Sequence, residues 1–202
     1  MSKHSHVVSR SQQLKAATHS THDSLDKRVM AADIFASRDS FTRFLRVQYR
    51  FHRDIDALYS HRGLLALIPD LAERRRLARI ALDLQDLCSD VPVHSTPLVD
   101  ANISLPSALG WLYVAEGSNL GGTVLFKLAR DRLQLHADFG ARHLAAHADG
   151  AARHWRSFTA ALDAAPLAAE QEALVVEGAR AAFQNVRGYV EDELQTDPVP
   201  VP

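Results

Sequence analysis

Apolar residues recur along this chain at the three- and four-residue steps of an α-helix. Phe41, Phe44, Leu45, Gln48, His52, Ile55, Leu58 and Tyr59 form one such stripe. Leu14, Thr18, His22, Leu25 and Val29 form another, which places His22 on the buried face of its helix. Between Met1 and Arg62 there is neither glycine nor proline. An all-β fold needs a turn signal roughly every 8 to 12 residues, so that stretch excludes one. A further helix is predicted from Asp70, where Glu73 stands three residues on as in a capping box, running through Leu77, Ala81, Leu84 and Leu87. A loop carrying Pro92 and Pro97 follows, and then helices over 104–135, 153–164 and 168–194, with 139–153 read as a loop holding a short helix. The expectation is a single all-α bundle of roughly six to eight helices over residues 10–195. Residues 1–9 are read as a flexible N-terminus and 196–202, ending DPVPVP, as an extended proline-rich tail.

Composition narrows the setting. The 202 residues carry 23 Lys and Arg against 24 Asp and Glu, a net charge of −1, so nothing draws the chain as a whole to nucleic acid or anionic lipid. No uncharged apolar run approaches the roughly 20 residues of a membrane span, and MSKHSHVVSR has no signal-like apolar core. The single cysteine, Cys88, forms neither an internal disulfide nor a cysteine cluster. The chain reads as soluble and cytoplasmic.

Three features stand out from a plain bundle. His22 lies on an apolar face, where a neutral imidazole is either a satisfied core group or a metal ligand. Asp26, one turn on, is placed to orient that ring. Lys15, roughly 10 Å back along nearly the same face, is either a snorkelling lysine or a partner for an anion. The second feature is GSNLGG, set inside a helical pattern. Gly117, Gly121 and Gly122 together oppose the helix by about 3 kcal/mol, which a kink or a close backbone approach would explain. Its spacing is not that of a phosphate or dinucleotide loop. The third is the set of 11 histidines. His136, His143, His147 and His154 read mostly as surface groups, and His19 and His22 stand three residues, a rotation of about 300°, apart on their helix, which weighs against their sharing one small ion. The run from Glu73 to Arg79, ERRRLAR, reads as a solvated face. Glu-x-x-His pairs, HExxH, GxSxG and Cys/His zinc patterns are all absent. What remains is a histidine facing a glycine-rich helix, a constellation that fits haem held between two helices.

Two segments carry a family resemblance. LKAATHSTHDSLD, Leu14 to Asp26, resembles the proximal helix of haem oxygenases, and WLYVAEGSNLGG, Trp111 to Gly122, resembles the kinked distal helix of their bacterial branch. Phe35 to Tyr59, FGARHLA from Phe139, and the last helix around Ala182, Phe183 and Tyr189 are similar to that branch too. The resemblance implies that His22 is the iron ligand, with Asp26 orienting it. Gly117 and Gly121 let the backbone approach the macrocycle, while Ser118 and Asn119 support bound water. Lys15 and Tyr113 hold the propionates, and Phe183 packs on the ring. Ser118 stands where animal enzymes carry an aspartate, which leaves the route of proton delivery open.

The implied reaction converts haem b, at once substrate and cofactor, with O2 and electrons to biliverdin, CO and ferrous iron. Histidine donates less electron density to iron than a thiolate does, which disfavours O–O cleavage. Having both Lys15 and Tyr113, the chain resembles enzymes that open the ring at the α carbon. With no flavin or nicotinamide motif, it implies an external donor, a ferredoxin or a reductase. The product would serve iron acquisition or a bacterial phytochrome. A non-catalytic haem-binding or haem-transfer protein is the alternative, and a plain helical interaction domain a third.

Overall fold

The computed structural model describes residues 8–93 and 96–195. Among them are seven α-helices: α1 (Arg10–Ala31), α2 (Arg38–Asp54), α3 (Arg62–Leu67), α4 (Leu77–Asp86), α5 (Leu105–Leu133), α6 (Ala151–Ala164) and α7 (Ala169–Glu193). Short 3-10 turns lie at Asp56–Ser60, Leu71–Arg74 and Arg142–Leu144. No strand occurs among the described residues beyond two isolated bridges at His136. The proline-rich tail at 196–202 and all but the last two residues of the segment 1–9 lie outside the described residues.

Local chemistry sets the helix starts. Ser9 caps α1 in a full capping box with Gln12, and Ser37 accepts from the Ser40 N–H at 3.1 Å to open α2. Ser104 caps α5 with Pro106 in its first turn, where the missing N–H costs nothing. The helix from Asp70 is a correction. The Asp70 side chain makes no cap bond, because its carboxylate pairs with Arg74 at 2.8 Å. Only a 3-10 turn forms there, and α4 begins at Leu77.

Helix α5 is the central strut, and its pairing with α7 is the most extensive in the fold. Gly110 and Gly178 make that pairing possible. A Cβ on Gly110 would stand 2.1 Å from the Val175 carbonyl, and one on Gly178 would stand 2.4 Å from that of Ser107. Helix α1 rests on α6 and α7 and is fastened at both ends. Arg10 pairs with Glu172 at 2.7 Å and donates to the Ala165 carbonyl, Ser11 binds Asp163, and Arg28 donates to the Leu194 carbonyl at 2.9 Å. Between these anchors α1 faces a cleft whose opposite side is α5.

Candidate functional site

The cleft has a volume of about 750 Å³, within the roughly 300–1,000 Å³ of small-molecule and cofactor sites. It gathers every residue that the family resemblance assigns to the haem site: Lys15, His22 and Asp26 from α1, Tyr113, Gly117, Ser118, Asn119 and Gly121 from α5, and Phe183 from α7. Phe44, Val47, Phe51, Val186 and Val190 give it apolar walls.

On the α1 side the expectation of a buried His22 is corrected. Leu14 and Thr18 are buried, but the His22 side chain is 53% exposed, because the stripe leaves the core at that point and faces the cleft. Its Nδ1 lies 3.3 Å from Asp26 Oδ2 and 3.7 Å from Asp23 Oδ1. Asp26 thus stands on the Nδ1 edge, where a carboxylate favours a proton on that nitrogen and leaves the Nε2 lone pair free. The Phe183 ring meets the imidazole edge-on at 6.1 Å.

On the α5 side the helix runs unbroken through its glycines. A Cβ at Gly121 would meet nothing within 4 Å, and one at Gly117 would touch only the Trp155 ring, at 3.7 Å. This is a bare main-chain surface turned to an open cleft, the cradle a broad flat ligand needs. Ser118 donates its hydroxyl to the Ala115 carbonyl at 2.7 Å, so its proton is spent within its own helix. Asn119 Nδ2 is buried with no protein partner among the described residues, which leaves it the available donor. Tyr113 packs on Trp155 at 5.5 Å, and burial raises its phenol pKa while the Thr18 hydroxyl opposes this.

A polar back wall went unrecognised in the sequence. His52, Arg76 and His143 all line the cleft. Burial first, then Arg76 and His143, lower the His52 pKa to about 3, so the ring is neutral. Asp83 fixes His143, accepting from its Nδ1 at 2.8 Å and its backbone N–H at 3.0 Å. Burial lowers the pKa of Arg76, whose guanidinium donates to the His143 carbonyl. The solvated face expected at 73–79 is therefore a correction too: Arg74 and Arg76 are buried, and only Glu73, Arg75 and Arg79 among its charged residues are exposed. So is the surface reading of His143 and His154, both buried against carboxylates. A signal for the wall was present, since Gln48 and His52 are polar members one turn apart in an otherwise apolar stripe.

The cleft fits haem: an imidazole on one wall, bare backbone on the other, apolar sides, and Lys15 within the same lining. The haem oxygenase family model matches residues 9–192. The heme oxygenase PigA of Pseudomonas aeruginosa is 43% identical over 182 residues, covering 90% of this chain and 91% of its own. The solved NO- and CO-bound heme oxygenase of Neisseria meningitidis superposes with a TM-score of 0.87 at 37% identity, covering 93% of each chain. Heme oxygenase-1 of Synechocystis, solved with heme, shares the fold at a TM-score of 0.75 and 17% identity, covering 92% of each chain. No described helix is long and apolar enough to cross a membrane. With the family model spanning nearly its whole length and a relative well above 30% identity, the chain belongs to the haem oxygenase family.

Proposed function

We propose that this oxidoreductase opens haem b at its α meso carbon, yielding biliverdin IX-alpha, CO and ferrous iron at the expense of O2 and electrons. The observation that carries the reading is the cleft itself, with His22 on one wall and the uncovered main chain of Gly117 and Gly121 on the other. Bound haem supplies the iron that activates O2 and the ring that is oxidised. His22 Nε2 serves as its ligand, with Asp26 beside Nδ1. Gly117 and Gly121 let the ring lie close to α5, and Phe183 packs at its edge. Lys15 and Tyr113 hold the propionates and so choose the meso edge presented to the distal side. Asn119 Nδ2 is a fixed donor for distal water, and Ser118 holds that turn through its bond to Ala115. Neutral His52 and cationic Arg76 supply further hydrogen-bonding groups from the back wall.

The proposal includes a single folded unit over 10–195, a cytoplasmic setting, electrons from a ferredoxin or reductase, and a purpose in either acquiring the released iron or supplying biliverdin to a bacterial phytochrome. The test is aerobic: haemin-loaded protein is given ascorbate, and the product is resolved by chromatography. The Soret band should bleach and biliverdin IX-alpha should appear. A stable ferrous-oxy spectrum without bilin would make the chain a haem carrier. Another isomer would refute the α regiochemistry and the propionate assignment behind it, while leaving haem cleavage standing.

A further inference from the structure

Three arginines run consecutively into the start of α4, and they are partnered very differently. Arg74 pairs with Glu116 at 2.7 Å and Asp70 at 2.8 Å, and Arg75 pairs with Asp56. Arg76 alone of the three lines the cleft, at 8% exposure. Among the described residues its guanidinium donates one hydrogen bond, to the His143 carbonyl, and forms no ion pair. Glu116, the carboxylate that most favours its charge, is the one already held by Arg74. A buried cation without a counter-ion is costly. The planar fork of a guanidinium is matched by a planar oxyanion.

The groups beside Arg76 are incomplete in the same sense. His52 and His143 line the same cleft at 2% and 3% exposure. His52 Nδ1 and His143 Nε2 have no hydrogen-bond partner among the described residues. Asp83 accepts from His143 Nδ1 at 2.8 Å, so in the neutral ring the open Nε2 carries a lone pair. Burial holds that ring neutral, with Arg76 adding to the effect and Asp83 opposing it. The remaining charged or titratable groups about it are His52 from α2 and Arg142, its chain neighbour, which pairs with Asp83 and Asp86. Negative charge at the wall would join Asp83 in favouring a second proton on His143, and Nε2 would then be a donor. The rings of Phe44 and Phe51 lie 6.4 Å from His143 and 5.7 Å from His52, and such apolar surroundings strengthen a charge pair.

We propose that Arg76, His52 and His143 form a subsite in the polar wall of the cleft for one small planar oxyanion of the nitrate or formate kind, taken up together with a proton on His143. Arg76 offers its fork, protonated His143 donates from Nε2, and His52 supplies a further ring nitrogen. The proton comes from solvent and stays on the ring, and no covalent bond to the anion forms. The site differs in depth from Lys15, which is exposed. It belongs to the haem-free chain and does not depend on the haem-cleaving reading.

The test uses the haem-free protein with nitrate as the probe. Nitrate should move the nitrogen resonances of the Arg76 guanidinium and the His143 ring along one saturable curve, with His143 shifting toward its protonated form. Binding should tighten as pH falls from about 8 to 6, by up to about tenfold per unit. Arg76→Gln should weaken it at least about tenfold, and Arg76→Lys, which keeps the charge and loses the fork, should fall between. No saturable shift in the wild type, a shift retained in Arg76→Gln, or binding indifferent to pH would overturn the proposal. Should Arg76→Gln fail to fold, the wild-type titration decides. Loading with zinc protoporphyrin separates a free ion from a porphyrin carboxylate: Arg76 should still respond to nitrate, whereas a guanidinium already shifted by the porphyrin and deaf to nitrate would overturn the free-ion site. A wild type that takes nitrate and makes no bilin would refute the haem-cleaving reading and leave the subsite standing.

Discussion

Gly121 offers a substitution whose two effects carry opposite signs. Glycine in a helix interior is disfavoured against alanine by about 1 kcal/mol, and a Cβ at Gly121 would meet nothing within 4 Å. Gly121→Ala should therefore stabilise the haem-free protein by about 1 kcal/mol, raising its melting temperature by about 2–4 °C for a chain of this size. On the proposed reading the same methyl would occupy the space in which the macrocycle approaches α5. Overpacking by one such group costs about 1–3 kcal/mol, so haemin should bind roughly five- to 150-fold more weakly, taking 1.4 kcal/mol per decade. Urea melts of the haem-free protein read the first effect, and Soret titration reads the second. Gly121→Phe should carry the obstruction further and abolish or redirect oxygenation while leaving His22 to ligate. A Gly121→Ala protein that gains stability and still binds and cleaves haemin normally would refute the close-approach argument. One that loses stability would refute the open geometry of α5.

Gly110→Ala should behave oppositely to Gly121→Ala. Its Cβ would lie 2.1 Å from the Val175 carbonyl, so the haem-free protein should lose at least about 1–3 kcal/mol in urea melts. Changing Lys15 and Tyr113 together, to Ala and Phe, should alter the ratio of biliverdin isomers on chromatography; an unchanged ratio would remove both from the propionate site. Acid should weaken the fold through His52. Its folded pKa, near 3, lies below the unfolded value of 6.5, so below pH 6.5 the unfolded chain binds a proton that the native state refuses. Stability then falls by up to about 1.4 kcal/mol per pH unit from this group. His52→Asn should flatten the slope of stability against pH between 6 and 4.

The helices were readable where a local signal ruled. Ser104 and Pro106 mark the start of α5, and Gln134 ends it in the left-handed conformation, its N–H bonded back to Ala129 and Arg130. Glycine content was harder to interpret, because a close helix crossing and a ligand face both select the smallest residue. The structure divides the two roles cleanly: Gly110 and Gly178 serve the crossing of α5 and α7, while Gly121 faces open space. The segment 70–79 misled for a different reason. Asp70 and Glu73 have the spacing of a capping box, but the Asp70 carboxylate is captured by Arg74, itself drawn inward by a glutamate 42 residues further along the chain. Such a partner leaves no trace in a window of ten residues. Without it ERRRLAR is indistinguishable from a solvated face.

His22 carries the more general lesson. An apolar stripe records that a helix face is kept from water, without recording what covers it. Leu14 and Thr18 are covered by protein, whereas His22, one turn on in the same stripe, opens to the cleft. A ligand that completes the core of a bundle would impose the same periodicity as a neighbouring helix, so an apolar stripe alone does not tell a core histidine from one that faces a cleft. The way α1 is fastened is consistent with this. A helix that faces α5 across an open cleft is held by other contacts, and Arg10, Ser11 and Arg28 tie its two ends to α6, α7 and the segment that follows α7. The imidazole is thereby kept on its wall before anything binds. Affinity then need not offset the ordering of the helix that supplies it.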